Sequence, residues 1–180
     1  MRYLALLRGV NVGGKNKLSM PELKSSFESS GFTQVSTYIN SGNILFSSAE
    51  TNVLALKGQC EALIKEGFGM DIPVAVISAA ALSDAMAHAP VWWNAGPESK
   101  HNAIFVIPPA TAEEVCAQVG NIKPEYEKVD FHGSVIFWSA PIKTFSRTRW
   151  SKVVGTAAYG SITIRNANTA IKLAELAGEA

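Results

Sequence analysis

The order of the apolar segments limits the possible folds most strongly, because one six-element pattern occurs twice along the chain. In residues 1–80, apolar runs typical of strands alternate with helical patterns in the order β-α-β-β-α-β. The same order recurs over residues 101–180, after a helical segment and a Pro/Gly-rich connection at residues 81–100. We therefore predict an α/β protein of the α+β type, in which two small ferredoxin-like domains follow in tandem and a helix ends the second.

Capping signals predict where the helices begin and end. The sequences "SMPE" from residue 19 and "TAEE" from residue 111 match the capping box, in which two side chains bond the first free amides of a helix. Gly67 is expected to end the second helix, and Asn168 is expected to cap the last one. The stretch "RTRWSKVVG", residues 147–155, is predicted to be a short helix.

The cysteines and the apolar runs indicate the compartment. Cys60 and Cys116 both lie within apolar helical patterns, which favours buried free thiols over a disulfide or a catalytic nucleophile. The amino terminus lacks a small-residue cleavage site, and the longest apolar run, "IPVAVISAAAL", is too short for a membrane span. We therefore predict a cytoplasmic protein without a membrane partner.

Charge is distributed unevenly, although the net charge is only +1. Four basic residues precede Glu22, the first acid, and residues 131–174 contain six Lys or Arg and no Asp or Glu. If the fold brings these two stretches together, they form a surface that faces an anion. The alternative is that these side chains are solvated on separate faces.

The stretch "GVNVGGK", from Gly9 to Lys15, has the spacing of a phosphate-binding P-loop. A P-loop requires Ser or Thr at the next position to hold magnesium, whereas Asn16 follows here. The next helix also begins too late for its first amides to face a phosphate. The sequence thus argues against an NTPase and predicts a glycine-rich turn whose amides bind an anion. Alternatively, the glycines only allow a sharp turn.

Polar residues cluster at the ends of three predicted elements: the loop after the first strand, the "NSGN" hairpin, and the end of the last strand. Antiparallel pairing of the first and third strands places the first two clusters at one edge of a sheet. We predict that a phosphate- or carboxylate-bearing ligand binds where the loop meets the hairpin. The candidate ligand-binding residues are Arg8, Asn11, Gly13, Gly14, Lys15, Asn16, Tyr38, Asn40, Ser41, Asn43, Arg165 and Asn166.

Three stretches, "YLALLRGVNVGGKNKLSMPEL", "YINSGNILF" and "TIRNANTAIKLAELAG", resemble the signature of a widespread bacterial family known as domain-of-unknown-function family 1697. The resemblance covers essentially the whole chain and implies two ferredoxin-like halves. It implies no reaction, cofactor or substrate. Ala167 stands where the closing segment of that family carries Trp. We therefore expect either a lost ligand contact there, or a cavity or a repacked neighbour.

Nucleic-acid binding is a second hypothesis, because residues 143–152 mix basic and aromatic side chains as single-strand binders do. The i, i+4 spacing of Trp150 and Val154 is explained equally well by burial on a short helix. The residues of this segment that carry the hypothesis are Lys143, Phe145, Arg147, Arg149, Trp150 and Lys152.

Enzymatic chemistry is left open by the residues. A hydrolase or transferase that uses the same pocket is a third hypothesis, although no G-x-S-x-G motif occurs. His88, His101 and His132 lie far apart in sequence, and none has a second ligand at helical or turn spacing. We therefore predict no metal site and no cofactor, and the sequence identifies no protein partner.

Overall fold

The first half of the protein forms one antiparallel sheet. In the computed structural model, which describes residues 1–178, this half contains β1 (Arg2–Leu7), α1 (Met20–Ser29), β2 (Thr33–Thr37), β3 (Asn43–Ser47), α2 (Val53–Phe68) and β4 (Val74–Ser78). The strand order across the sheet is β2-β3-β1-β4, and each neighbouring pair is antiparallel. The predicted order of elements is therefore confirmed for this half.

The second half forms another sheet with a corresponding strand order. After α3 (Ala79–Ala87) come β5 (Ser99–Val106), α4 (Ala112–Val119), β6 (Lys128–His132), β7 (Val135–Pro141), β8 (Ile162–Asn166) and α5 (Ala167–Gly178). The sheet runs β6-β7-β5-β8 and is again antiparallel. The α+β class is thus confirmed. The domain limits stay a prediction, and residues 179 and 180 of the predicted second domain lie outside the described residues.

The short helix predicted for residues 147–155 is present only over Trp150–Gly155, as a 3-10 helix and not as an α-helix. The chain there forms 3-10 helices at Ile142–Arg147, Trp150–Gly155 and Ala157–Ser161. Hydroxyl groups compete for the backbone: Thr148 Oγ1 donates to the carbonyl of Phe145, and Thr156 Oγ1 donates to that of Val153, both at 2.7 Å. Short local bonds of this kind favour tight turns over a continuous α-helix.

Apolar packing occurs in three layers, and the middle layer joins the halves. Tyr3 and Leu7 of β1 face a cluster shared with α1 and α2, whereas the alternating Leu4 and Leu6 face the second sheet. The middle cluster also contains residues of β5 and β7 and of the two helices α3 and α5. Burial on both faces explains the continuous apolar run of β1.

Two helix ends differ from the prediction. Helix α2 continues through Gly67 and ends before Gly69, whose φ of 67° supplies the left-handed conformation of a helix end. Asn166, rather than Asn168, caps α5, because its Oδ1 accepts a hydrogen bond from the Thr169 amide at 2.8 Å. The helix follows β8 directly, so the cap is the last residue of the strand.

The other capping signals and the cysteines agree with the prediction. Thr111 forms a complete capping box, while Ser19 accepts only the amide of Glu22, at 3.4 Å. Both cysteines are free thiols; Cys60 is buried and Cys116 is half-buried. Within residues 1–178, no helix combines the length and the hydropathy that crossing a membrane requires.

Candidate functional site

The glycine-rich loop after β1 forms a small exposed turn. The amide of Lys15 donates to the carbonyl of Val12 at 3.1 Å, and Gly13 and Gly14 between them have φ values of 59° and 75°. Positive φ at both central positions is typical of a type I′ turn. Helix α1 begins at Met20, so its first amides are not part of this turn. The conformation agrees with the rejection of a P-loop.

Asn11 holds this loop against the hairpin, and Asn16 connects two parts of the loop itself. Asn11 Nδ2 donates to the carbonyls of Leu18 at 2.9 Å and Asn40 at 2.8 Å, and its Oδ1 accepts from the Leu18 amide at 2.9 Å. Asn16 Nδ2 donates to the carbonyl of Gly9 at 3.1 Å. Both have positive φ, a conformation that asparagine tolerates better than most residues. Their amide groups therefore shape the loop.

The hairpin between β2 and β3 is organised by Asn43, which is fully buried. Its Nδ2 donates to the carbonyl of Tyr38 and to Oγ of Ser41, both at 3.0 Å. Gly42 lies so close to β1 that its carbonyl accepts from the Leu7 amide at 2.8 Å. The loop and the hairpin therefore meet at one edge of the first sheet, as predicted.

Arg165 of β8 connects this edge to the second half, and it is only 7% exposed. Its Nε donates to Oδ1 of Asn43 at 2.7 Å. Each of its five N–H groups has an acceptor within hydrogen-bond distance. The remaining acceptors are the carbonyls of Leu7 (2.8 Å), Ser41 (3.1 Å), Gly42 (3.3 Å) and Ile164 (3.0 Å), and Oγ1 of Thr163 (2.9 Å).

Arg8, in the first half, also contacts the second half. Its Nη1 donates to the carbonyl of Tyr159 at 2.6 Å, and its guanidinium lies over the ring of Tyr159, 5.0 Å from the centroid. The side chain is half-buried. Stacking on an aromatic ring fixes the plane of a guanidinium without using its remaining donors.

These groups surround a cavity of about 450 Å³, here called the junction cavity. Its size lies within the usual range for small-molecule sites. It contains two arginines and no carboxylate. The lining residues are Arg8, Gly9, Val12, Ile39, Ser41, Val154, Tyr159, Thr163, Ile164, Arg165, Asn166 and Thr169.

A second cavity is lined by more acidic than basic side chains. It measures about 320 Å³ and is lined by three carboxylate side chains, those of Glu98, Glu125 and Glu127, together with Lys128 and His101. An anion would be repelled by these carboxylates. The junction cavity therefore fits the predicted ligand class better.

The twelve predicted residues separate into three groups. Arg8, Ser41, Arg165 and Asn166 line the junction cavity. The side chains of Asn11 and Asn43 and the backbones of Tyr38 and Asn40 hold the loop and hairpin in place. Gly13, Gly14, Lys15 and Asn16 are exposed and lie outside the cavity lining.

Sequence reasoning missed the apolar rim of this cavity. Val12, Ile39 and Val154 are 60%, 50% and 65% exposed, respectively. Ile39 also has a φ of 49°, a left-handed conformation that is a rare outlier for a β-branched residue. Strain of this kind clusters at functional sites. A large aliphatic residue directly before the predicted "NSGN" hairpin is the signal that could have identified Ile39.

In the basic-aromatic segment, residues 143–152, only one of the two aromatic rings is accessible for stacking on a base. Trp150 is 1% exposed and belongs to an apolar cluster of the second half. The centroid of its ring lies 6.4 Å from that of Trp138. Phe145 is half-buried, and the ammonium of Lys100 lies over its ring at 4.4 Å. A buried indole cannot stack on a base, so the aromatic part of the nucleic-acid hypothesis loses Trp150.

One statement about the histidines is wrong. Asp84 precedes His88 by four residues at the end of α3, which is a helical ligand spacing, and the fold brings His132 to the same place. The signal "DAMAH" was present in the sequence but was missed. His101 lies elsewhere, with Nδ1 at 2.7 Å from Oγ of Ser139.

Ala167 is buried in the middle cluster and lines an open cavity of about 390 Å³. A cavity beside Ala167 is one of the alternatives expected from the family resemblance, and the choice between them stays a prediction. This cavity lies beside Asn102 and Lys100 of β5.

Fold and cavity together define a class of protein: two antiparallel sheets packed through shared helices, with a cationic cavity where the halves meet. Residues 1–137 match the family model described as "Protein of unknown function (DUF1697)", and the chain belongs to this family. A solved structure of a conserved bacterial protein from Streptococcus pneumoniae matches with a TM-score of 0.86 and 30% identity, over 98% of each chain. No curated protein matches the chain.

Proposed function

We propose that this protein binds a small molecule that carries a phosphate or a carboxylate, and that the ligand occupies the junction cavity. The observation that carries the proposal is the composition of the cavity, which contains Arg8 and Arg165 and no carboxylate. Positive charge in a concave, partly desolvated site attracts anions more strongly than it does on an open surface.

Arg165 supplies charge rather than direct contacts. All its N–H groups already have acceptors, so a ligand would have to break bonds to reach them. Burial lowers the pKa of Arg165 to about 10, which leaves the guanidinium charged at neutral pH. No carboxylate within residues 1–178 forms a salt bridge with it. Its charge is therefore available to a bound anion.

Arg8 supplies the direct contact. Only Nη1 is bonded, to the Tyr159 carbonyl, and the other guanidinium donors have no partner within the described part of the chain. A guanidinium held flat by an aromatic ring can bind an oxyanion in bidentate fashion. The Ser41 hydroxyl and the Asn166 amide line the same space, and the amino end of α5 adds a partial positive charge.

The test is a thermal-shift screen against nucleotides, sugar phosphates and small carboxylates. A ligand at a hundredfold its Kd adds about 2.7 kcal/mol to the free energy of unfolding, which such a screen detects. Arg8→Ala should abolish the shift, whereas Lys17→Ala removes an equal charge from an exposed position outside the cavity and should retain it. Circular dichroism would verify that both variants fold. A shift that survives Arg8→Ala, or no shift with any anion, would contradict the proposal.

A further inference from the structure

Three potential metal ligands from both halves of the chain meet on the surface. Asp84 and His88 lie at the end of α3, and His132 ends β6 in the second sheet. One ligand atom from each of the three residues lies within 4.8 Å of the other two. The side chains are accessible, with 60% of Asp84, 56% of His88 and 37% of His132 exposed.

The hydrogen bonds of His88 leave one ring nitrogen free for a metal. Its Nδ1 lies 2.9 Å from the backbone carbonyl of Asp84 and 3.4 Å from Oδ1 of the same residue. A carbonyl oxygen only accepts, so Nδ1 carries the proton and Nε2 has the lone pair. A bond from the second ring nitrogen to a backbone carbonyl is the usual support of a metal-binding histidine, since it fixes both the tautomer and the ring orientation.

His132 and the Asp84 carboxylate complete the cluster. Nε2 of His132 lies 2.7 Å from Oδ2 of Asp84, and its ring stacks on that of His88 with centroids 4.1 Å apart and planes 1° from parallel. Donors around tetrahedral zinc lie about 3.3 Å apart, given metal–ligand distances near 2.0–2.1 Å. A metal lies in the plane of each imidazole that binds it, so the two parallel rings must rotate out of their stack to form such a site, and the exposure of the three side chains permits this rotation.

We propose that Asp84, His88 and His132 bind a divalent transition-metal ion of the Zn²⁺ type. Two imidazoles with one carboxylate suit zinc and its neighbours, whereas Mg²⁺ and Ca²⁺ prefer oxygen ligands. The three protein ligands leave one tetrahedral position for water or another ligand. The ion would also join α3 to the hairpin of the second sheet. This site is separate from the junction cavity, so neither proposal depends on the other.

The experiment is calorimetric titration of Zn²⁺ into the untagged, chelator-treated full chain. We expect one equivalent to bind, and His132→Asn and His88→Asn each to weaken binding more than tenfold. His101→Asn is the matched control, because this third histidine lies outside the cluster and is held by Ser139 and Gly96. It should leave the affinity for Zn²⁺ unchanged.

Circular dichroism of each variant distinguishes a lost ligand from a lost fold. Should a cluster variant fold poorly, Asp84→Asn provides a second test, since it keeps the shape of the side chain and removes the charge. The proposal is overturned if the wild-type chain binds no Zn²⁺, or if binding persists unchanged in the folded His132→Asn protein. It is also overturned if His101→Asn reduces binding as much as the cluster variants do.

Discussion

Arg165 Nε and Asn43 Oδ1 lie 2.7 Å apart, which joins residues separated by 122 positions in the chain. Asn43 in turn fixes the hairpin through Tyr38 and Ser41. This one buried contact therefore positions the last strand of the second half against the loop edge of the first half. The junction cavity depends on this arrangement.

Arg165→Met should destabilise the protein by about 3 kcal/mol or more, because several buried acceptors lose their donor at about 1–3 kcal/mol each. The carbonyl of Ser41 and the amide oxygen of Asn43 lose their donor, and the carbonyl of Leu7 keeps only the longer bond from Thr163 at 3.4 Å. Urea unfolding measures this change. Lys17→Met, at an exposed position, should change the unfolding free energy by less than about 0.5 kcal/mol. Equal effects of the two changes would contradict the role assigned to Arg165.

Gly42→Ala tests the close approach of the hairpin to β1. A methyl group there would collide with Val10 Cγ2 and lie 2.7 Å from Leu7 Cβ, at a φ of 78°. We expect a loss of about 3 kcal/mol from backbone strain and overpacking together. Gly14→Ala has nearly the same φ, 75°, with no atom within 4 Å, and should lose only about 1 kcal/mol. Unfolding free energies that match for the two variants would exclude the steric contribution.

Much of the fold could be predicted because burial on two faces leaves a clear pattern. The run in β1 is apolar throughout since alternate residues face different clusters, and the capping box at Thr111 is local in sequence. The 3-10 segments could not be predicted in this way, because "RTRWSKVVG" has helical spacing of its apolar residues and is shaped by hydroxyl bonds to the backbone.

The candidate site could be predicted only in part, because some of its residues meet only through the packing of the two halves. Arg8 and Arg165 stood out as basic residues at strand ends. Tyr159 could not be identified, because it reaches the site through the packing of the two halves. The same limit applies to His132, whose partner Asp84 lies 48 positions away.

Ile39→Asn should leave the protein at least as stable as the wild type. Asparagine adopts a left-handed conformation more readily than a β-branched residue, so the change should add about 1 kcal/mol to the free energy of unfolding. This gain offsets the apolar contact that is lost with the half-exposed Ile39 side chain. Val12→Asn is the control on the same rim, since Val12 lacks a positive φ and should gain nothing. Urea midpoints compare the two variants. A clear loss of stability in Ile39→Asn alone would show that its side chain supports the fold.

Cys60 should resist thiol reagents in the folded protein. Burial, with a smaller contribution from the nearby Glu61 charge, raises the pKa of its thiol from 9.0 to about 12. Since the folded value is raised, the stabilising contribution is complete below about pH 9 and is lost as pH rises towards 12. In a Cys116→Ser variant, labelling at mildly alkaline pH should therefore be slow and should accelerate on adding denaturant. Rapid labelling of this variant without denaturant would show that Cys60 is accessible and ionised, because the thiolate is the reactive form.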